Sequence, residues 1–487
     1  MNRFSGYVIL SLFVLFFSCR KDIGKVNRGN YPDNIGKLLI TNCAVSGCHN
    51  SQSAAGAGNY NLETWEKMFS GSSSGSPIIP FNSKFSSLCY YINTYTELGL
   101  QNTPTMPLNR KPLSYEEVSQ IKNWIDAGAP DINGTIKWAD NPKRKKLYAV
   151  NQGCDVVTVF DSETQLPIRF IPVGTKANGN TPHHLRISPD GNYWYVIFVN
   201  NNIMQKYSCD DDRLIGNIPL TPLAAGTGID NAQDWNTFAI TKDGKKAYCV
   251  SWTASGKIAA VDLENMKLLH FLGGQVFPHG IALGPNEDKM YVTGQSGNYL
   301  TEIDTGFTFA NQLSLENNVP PNNLSTLEPH DVLLSADKTN LLVTCQKSND
   351  VRVFHIPSGL VTNIIQTGTY PQEIVYSKST NQYFVSCSED TLSFSGKHGT
   401  ITRINASGYA TSKIACGFQP HGIAVDETKK VIYVLSRNVI ATGPAPHHTS
   451  QCAGRNGFVS FIDLNTFTLS SKRYELSVDP YFIFARP

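Results

Sequence analysis

Pro278-His279-Gly280-Ile281-Ala282-Leu283-Gly284-Pro285-Asn286-Glu287-Asp288-Lys289-Met290-Tyr291-Val292-Thr293 reads as two short apolar runs around a polar turn. Pro285, Asn286 and Asp288 punctuate its middle, so the stretch predicts a β-hairpin. The pattern returns five more times. Pro182-His183 leads to Tyr195-Val196, Pro420-His421 to Tyr433-Val434, and Pro329-His330 to Leu342-Val343. Weaker copies run from Trp235-Asn236 to Tyr248-Cys249 and from Pro371-Gln372 to Phe384-Val385. In all six the second residue of the pair stands 12 positions before the aromatic or Leu. Two further apolar runs follow each hairpin, as in Lys257–Asp262 and then Leu268–Phe271.

Four antiparallel strands repeated every 42 to 60 residues predict the blades of a β-propeller. A seventh inner strand is expected at Pro480-Tyr481-Phe482-Ile483-Phe484-Ala485-Arg486. Its outer partners are expected at Lys146–Val150, Val156–Asp161 and Ile168–Ile171, so strand 480–487 would close a seven-bladed ring over residues 136–487 and leave no open sheet edge at the seam. The repeats resemble the YVTN family of bacterial propellers. That resemblance implies the fold and says little about function, because propellers host many activities.

Register converts the repeat into chemistry. His183, Asn236, His279, His330, Gln372, His421 and Tyr481 occupy one equivalent position, just before each innermost strand. They are expected to ring one mouth of the central channel. Imidazole is the commonest protein metal ligand, so the ring is a candidate site for a second metal, copper or zinc, or for a small substrate. The alternative is that the imidazoles only bond neighbouring loop carbonyls. Two long loops should overhang the same rim, one carrying His398 and the other Arg437, His447, His448 and Cys452. His184, His270 and His355 fall outside the register and read as structural or exposed.

The front of the chain carries a different signal. Cys43-Ala44-Val45-Ser46-Gly47-Cys48-His49 pairs two thiols with an adjacent imidazole. That arrangement fastens a c-type haem, although the usual gap is two residues and here it is four. A disulfide, a zinc half-site or two unrelated loop cysteines are the alternatives. Downstream, Ser114 and Glu117 form a capping box, and Val118, Ile121, Trp124 and Ile125 repeat at helical spacing. Gly128 and Pro130 stop that helix. A Met106-Pro107 pair precedes it. The combination resembles the c-type cytochrome domain family whose distal methionine stands before a final helix ending Trp-Ile-Asp-x-Gly-Ala. By that resemblance Cys43 and Cys48 hold haem c, and His49 and Met106 are its axial ligands, with Met68 next in line for the sixth position. The expected fold class is therefore a small all-α cytochrome c domain over 34–135, followed by the all-β propeller.

Residues 1–19 combine Arg3 with an apolar run from Tyr7 to Phe17 and resemble a bacterial lipoprotein signal, with Cys19 as the lipidated residue; residues 20–33 read as a polar tether. The chain is expected to be exported, facing the periplasm or the cell surface, and to meet the membrane through a lipid anchor. Net charge is +2 with 16% charged residues, which gives no sign of nucleic-acid binding. Eleven cysteines in an oxidising compartment need an account, but the remaining eight form no close pairs, and several sit in strand-like runs as small hydrophobes. These features together predict an exported haem c electron-transfer protein. Its propeller would carry a small-molecule redox site or dock a redox partner protein. The alternative is a non-enzymatic, surface-anchored binding scaffold in which haem is a relay or a structural plug.

Overall fold

The computed structural model describes residues 28–222, 234–324, 326–438 and 457–487. Seven four-stranded antiparallel sheets follow one another around a ring. Blade 1 is built from Lys146–Asn151, Val156–Asp161 and Pro167–Pro172, with Pro480–Ala485 as its innermost strand. Leu147 pairs with Ala485 and Ala149 with Ile483, so the ring closes by joining distant parts of the chain. Blades 2 to 7 begin with Pro182–Ile187, Trp235–Ile240, Pro278–Leu283, Pro329–Leu334, Pro371–Ser377 and Pro420–Asp426. Each of these strands neighbours its counterpart in the next blade, which makes them the lining of the central channel.

The second strand of every blade is buried on both faces because blades stack on each other. Tyr195 and Ile197 of blade 2 pack with Phe238 and Cys249 of blade 3, and Leu342 and Val353 of blade 5 pack with Val385 and Ile404 of blade 6. Cys249, Cys345 and Cys387 lie fully buried in such strands as free thiols. Their small apolar volume suits a close sheet-to-sheet contact.

The entry to each inner strand repeats one backbone device. Thr181, Asp234, Phe277, Glu328, Tyr370, Gln419 and Asp479 all have positive φ, between 43° and 60°. Each immediately precedes the first residue of an inner strand, and each non-glycine residue held there costs about 1 kcal/mol. Just beyond it the pairing register slips in every blade, as between Pro278 and Ile281 or Pro329 and Val332. A bulge of this kind re-aims the side chains on either side of it.

Residues 28–145 correct the expected fold class. They hold only four short helices: α1 (Asp33–Asn42), α2 (Trp65–Met68), α3 (Ser87–Ile92) and α4 (Tyr115–Asp126). No separate all-α cytochrome domain stands over 34–135. Ser-, Gly- and Pro-rich segments between the helices keep them short. Their apolar faces pack on one another, α4 against α1 and α3, and the same core continues into the propeller. Leu39, Trp65, Ile121 and Ile125 belong to the same core as Tyr148, Phe160 and Leu166 of blade 1 and Tyr433 and Tyr474 of blade 7. Phe85 stacks on Phe170 at 4.7 Å, and the Asn82 amide donates to the Phe170 carbonyl at 3.2 Å. The expected capping box is present, with Ser114 and Glu117 bonding each other's backbone N–H. Gly128 ends the helix region at φ +101°, a conformation that suits glycine. No described helix is long and apolar enough to cross a membrane.

Candidate functional sites at the propeller mouth and the N-terminal cleft

The seven equivalent positions converge on one cavity of about 700 Å³ at the channel mouth: His183, Asn236, His279, His330, Gln372, His421 and Tyr481 all line it. The bulges deliver them there, and the bonding runs around the ring from blade to blade. His183 Nδ1 meets the Asn236 carbonyl at 2.8 Å, His279 Nδ1 the His330 carbonyl at 3.3 Å, and His421 Nδ1 the Tyr481 carbonyl at 3.0 Å. A carbonyl can only accept, so these Nδ1 atoms carry the proton and each Nε2 is left with a lone pair. A glutamine relay continues the circuit: Gln295 donates to Gln346 at 2.9 Å, and Gln346 to Gln372 at 2.7 Å.

Burial holds His330 and His421 well below the ordinary imidazole value and pushes His279 down to about 4. These three imidazoles are therefore neutral at physiological pH. His279 lies 3.9 Å from His330, and His421 lies 3.7 Å from Tyr481, centroid to centroid. Arg437 sits on the same wall, paired with fully buried Asp479 at 2.9 Å. His398 does not line the cavity; its Nε2 pairs at 2.8 Å with Glu389, which does. His447 and His448 lie outside the described residues, as do Cys19 and Cys452. His184 is buried between Phe482 and Phe238, His270 is exposed on an outer strand, and His355 bonds Ser358.

One residue deeper than the ring lies a layer that sequence reasoning missed. At this level Gly280 and Gly422 let adjacent inner strands touch: a Cβ on either would meet a backbone oxygen of the next strand, at 2.5 and 2.6 Å. Two blades place carboxyls there instead, Asp331 and Glu373, hydrogen-bonded to each other. The Asp331 carboxylate also accepts from the Val332 and Ile374 amides at 2.8 and 3.1 Å. Burial, then the adjacent Asp331, drives the Glu373 carboxyl well above its ordinary range. Arg186, buried deeper, donates from Nε to the Phe238 carbonyl at 3.0 Å. Acidic residues in inner strands that are otherwise apolar were the available signal.

The second site is a cleft of about 450 Å³ in the N-terminal segment, lined by Cys43, Cys48, His49 and Met106 together with Tyr60, Leu88 and Pro107. The four-residue loop between the cysteines folds back, with the His49 amide donating to the Cys43 carbonyl and the Cys48 amide to that of Val45, both at 3.0 Å. His49 Nδ1 meets the Tyr60 carbonyl at 3.1 Å, which leaves Nε2 as its lone-pair atom. Both cysteines are free thiols. Burial pushes the Cys43 thiol up to about 12. The Met106 amide donates to the Tyr91 carbonyl at 2.7 Å, and Arg110 reaches the Asn42 carbonyl at 3.3 Å, tying the methionine loop to the end of α1. Met68 is in the core and does not line the cleft. The buried Tyr60 hydroxyl has no hydrogen-bond partner among the described residues.

No family model and no curated protein matches the sequence. Solved structures do match in shape. A protein of Bacteroides uniformis ATCC 8492, named as a candidate 6-phosphogluconolactonase, aligns at TM-score 0.50 and 13% identity over 70% of this chain and 99% of its own. Kuenenia stuttgartiensis hydrazine synthase aligns at TM-score 0.49 and 17% identity, over 64% of this chain and 91% of that one. Streptogramin B lyase aligns at TM-score 0.46 and 15% identity, over 63% and 87%. Identities this low speak to the propeller fold alone.

Proposed function

We propose that this chain is a haem c electron-transfer protein whose propeller mouth receives a small-molecule electron donor or acceptor or docks a redox partner. One observation carries the reading: Met106, some sixty residues on in the sequence, lines the same cleft as Cys43, Cys48 and His49. The donor set fits the group, with two thiols for thioether bonds, an imidazole with Nε2 unencumbered, and a thioether sulfur. The Tyr60 carbonyl orients the His49 ring, as the second partner of an axial histidine commonly does. Leu88, Pro77 and Pro107 give the cleft apolar walls that exclude water. Bound there, the haem would supply a one-electron ferric/ferrous couple, with methionine ligation favouring the reduced form.

Covalent attachment occurs outside the cytoplasm, so the reading carries with it an exported chain. Lipidation at Cys19 would hold that chain to a membrane facing the periplasm or the cell surface. The deciding experiment is acid-acetone extraction of denatured protein purified from an exporting, haem-attaching host. Porphyrin absorbance should stay with wild-type polypeptide and leave the Cys43→Ser/Cys48→Ser variant. Release from the wild type would overturn the reading.

A further inference from the structure

Among the described residues, one trio brings two imidazoles and a carboxylate together: His330, Glu373 and His421, all buried, with one ligand atom from each lying within 4.8 Å of the others. Glu373 Oε1 stands 3.9 Å from His330 Nε2 and 3.8 Å from His421 Nδ1. His330 Nε2 has no hydrogen-bond partner among the described residues, although His330 is only 2% exposed. An orphaned ring nitrogen at that depth is costly unless something engages it. Two-histidine, one-carboxylate sets with an open position suit divalent first-row cations. Donor atoms on a tetrahedral zinc lie roughly 3.4 Å apart, given metal–ligand bonds of about 2.0–2.1 Å, so each glutamate–imidazole distance needs to contract by about half an ångström.

We propose that His330, Glu373 and His421 form a divalent metal site, with zinc as its natural occupant, on the floor of the propeller mouth. The supporting shell is already in place. Asp331 hydrogen-bonds Glu373 and is itself fixed by two backbone amides, the kind of second partner that orients a ligating carboxylate. Coordination shifts a proton on both rings: His421 passes its Nδ1 proton to Nε2 on the cavity side and exchanges its bond to the Tyr481 carbonyl for the metal, while His330, whose Nδ1 accepts from Gln295 at 3.4 Å, passes its Nε2 proton to Nδ1 and gives up that bond. His330 and His421 both line the mouth cavity, so the fourth position faces that space and is open to water or a small polar ligand. Of the ring expected from the sequence, His330 and His421 enter the site, and the carboxylate beside them comes from the layer below.

This site stands independently of the haem reading. The test uses the full chain stripped of metal by chelator, titrated with zinc ions alone, in both the native-cysteine and the Cys43→Ser/Cys48→Ser backgrounds. One tight equivalent should bind in both, with a rise in melting temperature. Glu373→Gln and His330→Gln should each weaken uptake at least tenfold, while His270→Ala, on an outer strand, leaves it unchanged. The Glu373→Gln protein keeps its carboxamide hydrogen bond to Asp331, so its zinc-free melting curve checks that it is folded. Unchanged uptake in either glutamine variant overturns the site, as does uptake that disappears with His270→Ala.

Discussion

The two cavities of this protein are built on opposite principles. The cleft takes three of its four key side chains from one seven-residue stretch and the fourth from a loop some sixty residues on, and loops hold them all. The mouth takes one side chain from each of seven blades, every one mounted on a strand and aimed by a strained residue and a bulge. Short-range motifs therefore specify the first, and long-range register specifies the second. A site on strands is also more rigid than one on loops.

The two regions nonetheless share a core, and that is what experiments can break. The largest effect is expected from deleting residues 480–487. Blade 1 would lose its inner strand, and two sheet edges would be exposed to pairing with other chains. Because Trp65, Ile121 and Tyr148 lie in one cluster, calorimetry should show loss of the cooperative transition for both regions. A surviving transition for the N-terminal segment would mean the two fold separately.

Arg437→Met comes next. It leaves Asp479 charged, fully buried and without its guanidinium partner, which should cost about 3–5 kcal/mol in a urea melt. A loss below 1 kcal/mol would show the mouth to be less rigid than its geometry implies.

A pH effect follows from His184, held between Phe482 and Phe238. Burial keeps its pKa well below the ordinary imidazole value. The unfolded chain therefore takes up the proton first, and stability falls as pH drops below about 6.5, by at most ~1.4 kcal/mol per pH unit for this residue. His184→Phe should flatten that acid limb between about pH 6.5 and pH 5. An unchanged slope would transfer the effect to the other buried imidazoles.

The smallest expected change is Ser114→Ala, which removes the cap of α4 and should cost about 1 kcal/mol. With a single shared core the one melting midpoint should move. If only a minor early transition moves, the helical segment is an independent unit.

The propeller was legible because its signal is repeated: six hairpins with the same 12-residue spacing leave little freedom in where the inner strands begin. The ring of His183, His279, His330 and His421 followed from register alone. Glu373 and Asp331 were not legible, because strict strand alternation would turn the residue after each ring position away from the channel, and the bulge undoes that rule. Gln295 and Gln346 were missed for a related reason, since they lie beyond the second strands and enter the mouth only through blade geometry. In the front segment α4 was readable from Ser114, Glu117 and its apolar spacing. The separate helical domain was not there to be read. Apolar positions such as Leu39 and Trp65 reveal that they are apolar but not how far their core extends, and here it runs on from the helices into blades 1 and 7.

The closure of blade 1 also orders events in time. The strand Pro480–Ala485 is made after every other strand described, yet it is the innermost of the first blade. While the chain emerges, Lys146–Asn151 waits with an unpaired edge, and Tyr148 and Phe160 lack their final neighbours. The cysteine loop is available throughout this interval, before the shared core consolidates around it. Any cofactor fastened to Cys43 and Cys48 would thus meet an unfinished, accessible segment.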